Sequence, residues 1–253
     1  MIVLKSWEEI DIMRRANVIV AEVLAELRAR IRPGVTTGVL DRLAEELTRK
    51  HKARPAFKGY EVAGRVFPKS VCVSINEEVV HGIPSEARVL QEGDIVSLDF
   101  GVCYEGYFGD AATTVAVGTV SRDDERLLQI TQQSLDAAIR EVCVGKRIGD
   151  ISFAIQEHVE RNGFSVVRDF VGHGIGKRLH EDPQVPNFGT RDRGPRLRAG
   201  MVLAIEPMVN AGGPEVVVKQ DGWTAVTRDG KRSAHFEHSV AVTDAGPYVL
   251  SAV

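Results

Sequence analysis

Two stretches of helical periodicity precede a group of strand-like segments, and the same succession then recurs further along the chain. Ser6 and Glu9 have capping-box spacing. Ile10, Met13, Val20, Leu24, Leu27 and Ile31 follow at steps of three, four or seven, one apolar stripe on a long helix. Arg32-Pro33-Gly34 ends it, and Thr36 or Thr37 caps a second helix with Leu40, Leu43, Ala44 and Leu47 on its buried side. Segments 71–75 and 95–103 read as strands, and Tyr104-Glu105-Gly106 as the turn of a β-hairpin over 94–117. Helices are predicted over 123–144 and 150–161, then short strands over 164–167, 201–206, 215–219, 223–227 and 235–243. Elements grouped in this way favour an α+β fold over a doubly wound α/β sheet. The recurrence is compatible with an internal duplication, which residue identity does not show.

A chain of 253 residues fits one large domain or two small ones and can bury roughly three-quarters of its unfolded surface. With a net charge of −3 and no long basic run, nothing in the sequence argues for a nucleic-acid partner. Cys72, Cys103 and Cys143 are odd in number and widely spaced, matching neither a disulfide framework nor a CxxC zinc site, so free thiols in a reducing cytosol are expected. Acidic residues stand at the N-terminus where a signal peptide needs an apolar core, and no apolar run approaches 18 residues. A cytoplasmic protein, independent of membranes, is expected; no linker or low-complexity tract divides it.

Four segments carry chemistry. In the hairpin, a turn centred on Tyr104-Glu105 sets Asp99 directly opposite Asp110, whereas a turn shifted by one residue is expected to put them on opposite faces. Facing carboxylates repel unless something positive lies between them. Gly172-His173-Gly174 places an imidazole between glycines that permit a tight turn, with His180 seven residues on. Glu206 sits in the apolar run Leu203-Ala204-Ile205, where an unpaired carboxylate is costly. In His235-Phe236-Glu237-His238, alternation puts His235 and Glu237 on one face and His238 on the other. Asp99, Asp110, His173, Glu206 and Glu237 together form an oxygen-rich set with one imidazole. Such a set suits two divalent cations of the manganese, iron(II) or cobalt type better than a thiolate-held zinc. Each of these residues also has a bland reading as an ordinary solvated or structural group.

Further motifs run the length of the chain: Pro33-Gly34-Val35-Thr36-Thr37, Pro55 to Tyr60, PKSVCVSINEEVVHGIP over 68–84, GDIVSLDFG, GHGIG, HEDPQVPNF, AIEPM and FEHS. With these the sequence resembles the type I methionine aminopeptidases of the pita-bread fold. The resemblance implies one catalytic domain over 1–253, a pseudo-twofold α/β sandwich whose curved antiparallel sheet carries two metals on Asp99, Asp110, His173, Glu206 and Glu237. It implies that His81 contacts the substrate amine or peptide nitrogen, that His180 hydrogen-bonds the scissile carbonyl, and that Glu206 also shuttles the proton. Phe57, Tyr60, Phe67, Cys72 and Trp223 would form the methionine pocket. The implied substrates are N-termini of nascent polypeptides with a small second residue. The implied protein is a monomer whose contact with the ribosome, if it makes one, falls to the catalytic domain's surface.

Two departures bear on the pocket. Six residues, Glu61 to Val66, separate Tyr60 from Phe67 where two are expected, and Leu179 stands before His180 in place of an aromatic. The alternatives are an Xaa-Pro aminopeptidase of the same fold, and a non-catalytic pita-bread binding module. The early position of Asp99 leaves no room for the extra N-terminal domain usual in the former, and the latter typically lacks metal ligands that are all present here.

Overall fold

The computed structural model describes residues 1–252. Helix α1 spans Trp7–Arg30; Ser6 caps it by accepting from the Glu9 amide while the Glu9 carboxylate accepts from the Ser6 amide. Helix α2, Thr37–Lys50, is capped by Thr36 rather than Thr37. Helix α3, Arg122–Arg140, starts at Ser121, and Asp123, Asp124 and Glu125 in its first turn complement the helix dipole. It stops short of residue 144 because the amides of Glu141 and Val142 turn to the carbonyls three residues back, which tightens the last turn. Helix α4 is Ile148–Arg161. No helix among the described residues is long and apolar enough to cross a membrane.

The centre of the molecule is an antiparallel sheet of nine strands: β1 (Arg54–Pro55), β2 (Cys72–Ile75), β3 (Ile95–Tyr104), β4 (Tyr107–Ala116), β5 (Gly172–Gly174), β6 (Glu181–Val185), β7 (Val202–Ile205), β8 (Glu237–Thr243) and β9 (Gly246–Val249). Its order is β1-β3-β4-β8-β7-β5-β6, with β2 beside β3 and β9 beside β8. Alternation gives the two faces different work. Val96, Leu98, Phe100 and Val102 of β3 pack against Leu27, Leu40 and Ala44 of the first helix pair. Leu203, Ile205, Val240 and Val242 pack against Leu127, Leu135, Ile151 and Ile155 of the second. The helices thus seal one face with apolar side chains, and the residues between them project from the other.

The hairpin turn lies one residue beyond the expected position. Tyr104 pairs with Tyr107, and Glu105 and Gly106 form the loop with φ of 48° and 81°. Both angles suit a two-residue turn that follows the strand twist, and Gly106 takes its angle without strain. Asp99 therefore faces Ala112, and Asp110 faces Gly101. The one-residue move does not separate the two carboxylates onto opposite faces, because a loop of unchanged length shifts pairing by two. They are diagonal neighbours on one face; only a loop longer or shorter by one would invert them.

Two other expectations change. The strand predicted over 235–243 breaks at Phe236: Ser233–His235 pairs with Met208–Asn210 in a separate three-stranded sheet, while Glu237 opens β8. His235 and Glu237 are therefore not neighbours on one strand face. The glycines flanking His173 make no turn either. Gly172–Gly174 is extended, and a Cβ would lie 2.4 Å from the Ala204 carbonyl oxygen at Gly172 and 2.2 Å from that of Asp182 at Gly174. Close approach of neighbouring backbones, not turning, requires glycine on both sides of the imidazole.

Lys5 and Glu181 tie the N-terminal segment to the strand after His180. Their charged groups are 2.7 Å apart, with side chains 3% and 5% exposed. Burial pushes the Glu181 carboxyl up, but hydrogen bonds from Lys5 and the Arg178 amide outweigh it and hold it below its ordinary value of 4.5. A lowered folded pKa contributes stability above the unfolded value, lost as pH falls through the folded one. Glu181→Gln leaves Lys5 buried without its partner and should cost about 3 kcal/mol at pH 7. Urea unfolding should show that deficit narrowing below about pH 4.5; a deficit constant down to pH 3 would contradict the assignment.

Candidate metal centre

Strand pairing carries the acidic residues to one place. Cys72, Asp99, Ala112 and Glu237 form a row across β2, β3, β4 and β8. His173, Ala204 and Ser239 form a second row across β5, β7 and β8. Ser239 lies two residues beyond Glu237, Asp110 two before Ala112 and Glu206 two beyond Ala204, so strand alternation puts all of them on the face the helices leave free. Ala112 and Ala204 are buried and small, and leave room between the rows of longer side chains.

The carboxylates meet there without partners of their own. Donor atoms of Asp110, His173 and Glu237 lie within 4.8 Å of one another. His173 Nε2 is 3.6 Å from Glu206 Oε1, and His235 Nε2 is 3.4 Å from Glu206 Oε2, outside hydrogen-bond geometry. Asp110 Oδ1 and Glu237 Oε1 are buried with no hydrogen-bond donor. Burial, then the neighbouring carboxylates, pushes the Asp110 and Glu237 carboxyls well above the usual range. Asp99 is pushed up to about 7, chiefly by burial and further by Glu206, against the pull of His235. Glu206 behaves oppositely: burial raises it, but His235 and His173 outweigh burial and keep it lowered.

Orphaned oxygens beside an imidazole fit divalent cations, whose charge reverses these shifts and uses the free lone pairs. His173 Nδ1 is 2.9 Å from the Gly174 carbonyl oxygen, a contact that makes Nδ1 the protonated nitrogen and leaves Nε2 free to ligate.

All twelve residues named from the sequence line one cavity of about 520 Å3. His81 holds φ of 60°, an unusual conformation for a side chain larger than glycine, and its carbonyl accepts from Thr224 Oγ1. Its ring meets Phe170 and Trp223 edge-on at 5.4 and 6.2 Å, and burial lowers its pKa to about 4. The His180 ring lies 4.3 Å from that of His173, with Nδ1 2.5 Å from the Tyr60 hydroxyl. His180 opens onto the cavity, so its fall to about 4 comes from apolar walls and adjacent His173 rather than complete enclosure. Phe67 and Trp223 stack edge-on at 5.3 Å, and Leu179, though buried, also lines the cavity.

Phe170, Gln184 and Met208 also line the cavity. Sequence patterning missed them because each belongs to a loop or to a strand of five residues or fewer. His235 was visible in its motif, but its approach to Glu206 depends on the break at Phe236. His238 turns away and bonds Ser251.

A sequence model of the metallopeptidase family M24 matches residues 11–244. A methionine aminopeptidase of Clostridium perfringens is 54% identical over 253 residues, covering 100% of both chains. The crystal structure of a methionine aminopeptidase from Thermotoga maritima superposes with a TM-score of 0.97 at 49% identity, covering 100% of both chains. A prolidase from Pyrococcus horikoshii shares the fold alone, with a TM-score of 0.80 and 21% identity, 99% of this chain covering 64% of that one. With a family match across most of the chain and full-length relatives at such identity, this protein belongs to the M24 metallopeptidases.

Proposed function

We propose that this chain removes the N-terminal methionine from nascent proteins and peptides with a small second residue, using two divalent cations held by Asp99, Asp110, His173, Glu206 and Glu237. The observation that carries the reading is the convergence of four carboxylates and an imidazole on one sheet face, with Asp110 and Glu237 oxygens left unpartnered at the floor of an aromatic-walled cavity. Cobalt, manganese and iron(II) all suit the donors. Bound cations supply Lewis acidity toward a peptide carbonyl and lower the pKa of water.

The chain's own groups do the rest. Glu206, whose carboxyl is held below its ordinary value, accepts the proton of the attacking water and passes it to the leaving nitrogen. With the Tyr60 hydroxyl, 2.5 Å away, as donor to His180 Nδ1, the ring proton sits on Nε2, and the neutral imidazole donates to the scissile carbonyl oxygen as charge develops. His81, neutral by burial, binds the substrate amine or peptide nitrogen. Phe57, Tyr60, Phe67, Cys72 and Trp223 enclose the methionine side chain. An apolar slot separates substrates by only about 1–3 kcal/mol per methylene, so selectivity over leucine is moderate.

We read residues 1–253 as a single catalytic domain, working as a cytoplasmic monomer that meets new chains, and the ribosome where it docks there, through its own surface. Over an Xaa-Pro aminopeptidase, the reading is favoured by full-length likeness to methionine enzymes where the prolidase shares only the fold.

Metal-loaded enzyme should hydrolyse Met-Ala-Ser, cleave Leu-Ala-Ser weakly and leave Ala-Pro peptides intact; the reverse order would sink the reading. Glu206→Gln should lower kcat by about 10²–10⁴-fold in a peptide assay, with an unchanged circular dichroism spectrum. Thermal melts test the metal site without turnover: manganese added to metal-free protein should raise Tm, and Asp110→Asn should lose most of that rise. Equal rises in both proteins would contradict the assignment.

A further inference from the structure

The extra residues after Tyr60 build a β-hairpin at the cavity rim. Glu61 pairs with Val66 and Val62 with Arg65, around a turn at Ala63 and Gly64 with φ of 49° and 77°. The ladder continues inward, since the Phe67 amide donates to the Tyr60 carbonyl and the Gly59 amide to the Phe67 carbonyl. Strand alternation then fixes which side chains share a face. Tyr60 and Phe67 line the cavity at the hairpin's base, Glu61 and Val66 turn away, and Val62 and Arg65 return to the Tyr60–Phe67 face one step further out.

Two observations agree with that placement. Val62 lines the cavity while 50% exposed, and it is the one apolar residue of the lining that is exposed rather than buried or half-buried. Arg65 Nη1 donates to the Gly222 carbonyl at 3.3 Å. Gly222 directly precedes Trp223, and Asp221 fixes that loop by accepting from the amides of Trp223 and Thr224. The hairpin is thus strapped across to the loop that carries the opposite aromatic wall.

We propose that Val62 forms an outer subsite that contacts the third residue of the peptide substrate and favours an apolar side chain there, with Arg65 as the positioning residue that holds the hairpin in place. This rests on the aminopeptidase reading above. The first residue fills the deep aromatic pocket, and the scissile bond lies over the carboxylates. The chain beyond the second residue must leave by the rim, where Val62 stands exposed. An apolar group meeting that surface gains contact area removed from water, and a serine or glycine at the same place does not.

The experiment compares kcat/KM for Met-Ala-Leu-Gly and Met-Ala-Gly-Gly in wild type, Val62→Ser and Arg65→Gln. Wild type should favour the leucine peptide by about five-fold, the scale of a partly buried leucine side chain. Val62→Ser should bring the ratio near one through a higher KM for the leucine peptide. Arg65→Gln should reduce the ratio in the same direction, and Arg65→Lys should restore part of it. A ratio unchanged in Val62→Ser, with the fold confirmed by thermal melting, would overturn the subsite. Methionyl-p-nitroanilide, which has no second or third residue, separates the two layers: failure of the wild-type enzyme to cleave it or either peptide would overturn the aminopeptidase reading itself.

Discussion

Mutual repulsion among carboxylates buried on one sheet face is the constraint around which this molecule is arranged. Asp99 and Asp110 share one hairpin, while Glu206 and Glu237 come from two segments far along the chain; pairing of the strands that carry or directly precede them brings all four together. Such a group destabilises a fold unless its charge is removed by protonation or matched by cations. Burial and mutual repulsion push the Asp99, Asp110 and Glu237 carboxyls toward the first, and the unpartnered oxygens mark where cations would provide the second.

The opposite face supplies the rigidity that holds this arrangement. Each strand bearing or directly preceding a carboxylate also places Leu98, Phe100, Ala111, Leu203 or Val240 into a helix-covered core, so a slip that moved the acid would expose the apolar residues beside it. Small residues complete the design: Ala112 and Ala204 keep the interval between donors open, while Gly172 and Gly174 let the His173 strand approach its neighbours. Histidines set the charge of individual groups. His235 and His173 hold the Glu206 carboxyl below its ordinary value while burial pushes its companions up, which separates the residue proposed to move protons from those proposed only to ligate.

Local signals were legible in the sequence where a few adjacent residues decide the outcome. The Ser6–Glu9 box appears as read, and the second cap falls on Thr36, one of the two threonines the sequence offered, because capping depends on four consecutive positions. Helical stripes and the long hairpin were equally visible. The turn at Glu105-Gly106 was displaced by one because neighbouring loops of equal length differ only in which residues take positive φ, a preference too small to read without the partner strand. The break at Phe236 was invisible because His235 and Glu237 pair with different sheets, and their pairing partners lie far away in sequence. The spacing of the five donors made a metal centre plausible; their common face emerged only from register. The hairpin at 61–66 appeared in the sequence as extra length, and its inward-facing Val62 required the ladder from Tyr60 and Phe67.

The central claim is that five side chains on one sheet face hold two cations. Anomalous diffraction from crystals of the protein soaked in manganese tests it most directly. The account predicts two anomalous peaks in the cavity, with Asp99, Asp110, His173, Glu206 and Glu237 together supplying the protein ligands. A single peak, or peaks that leave the Asp110 and Glu237 oxygens without a ligand, would contradict it.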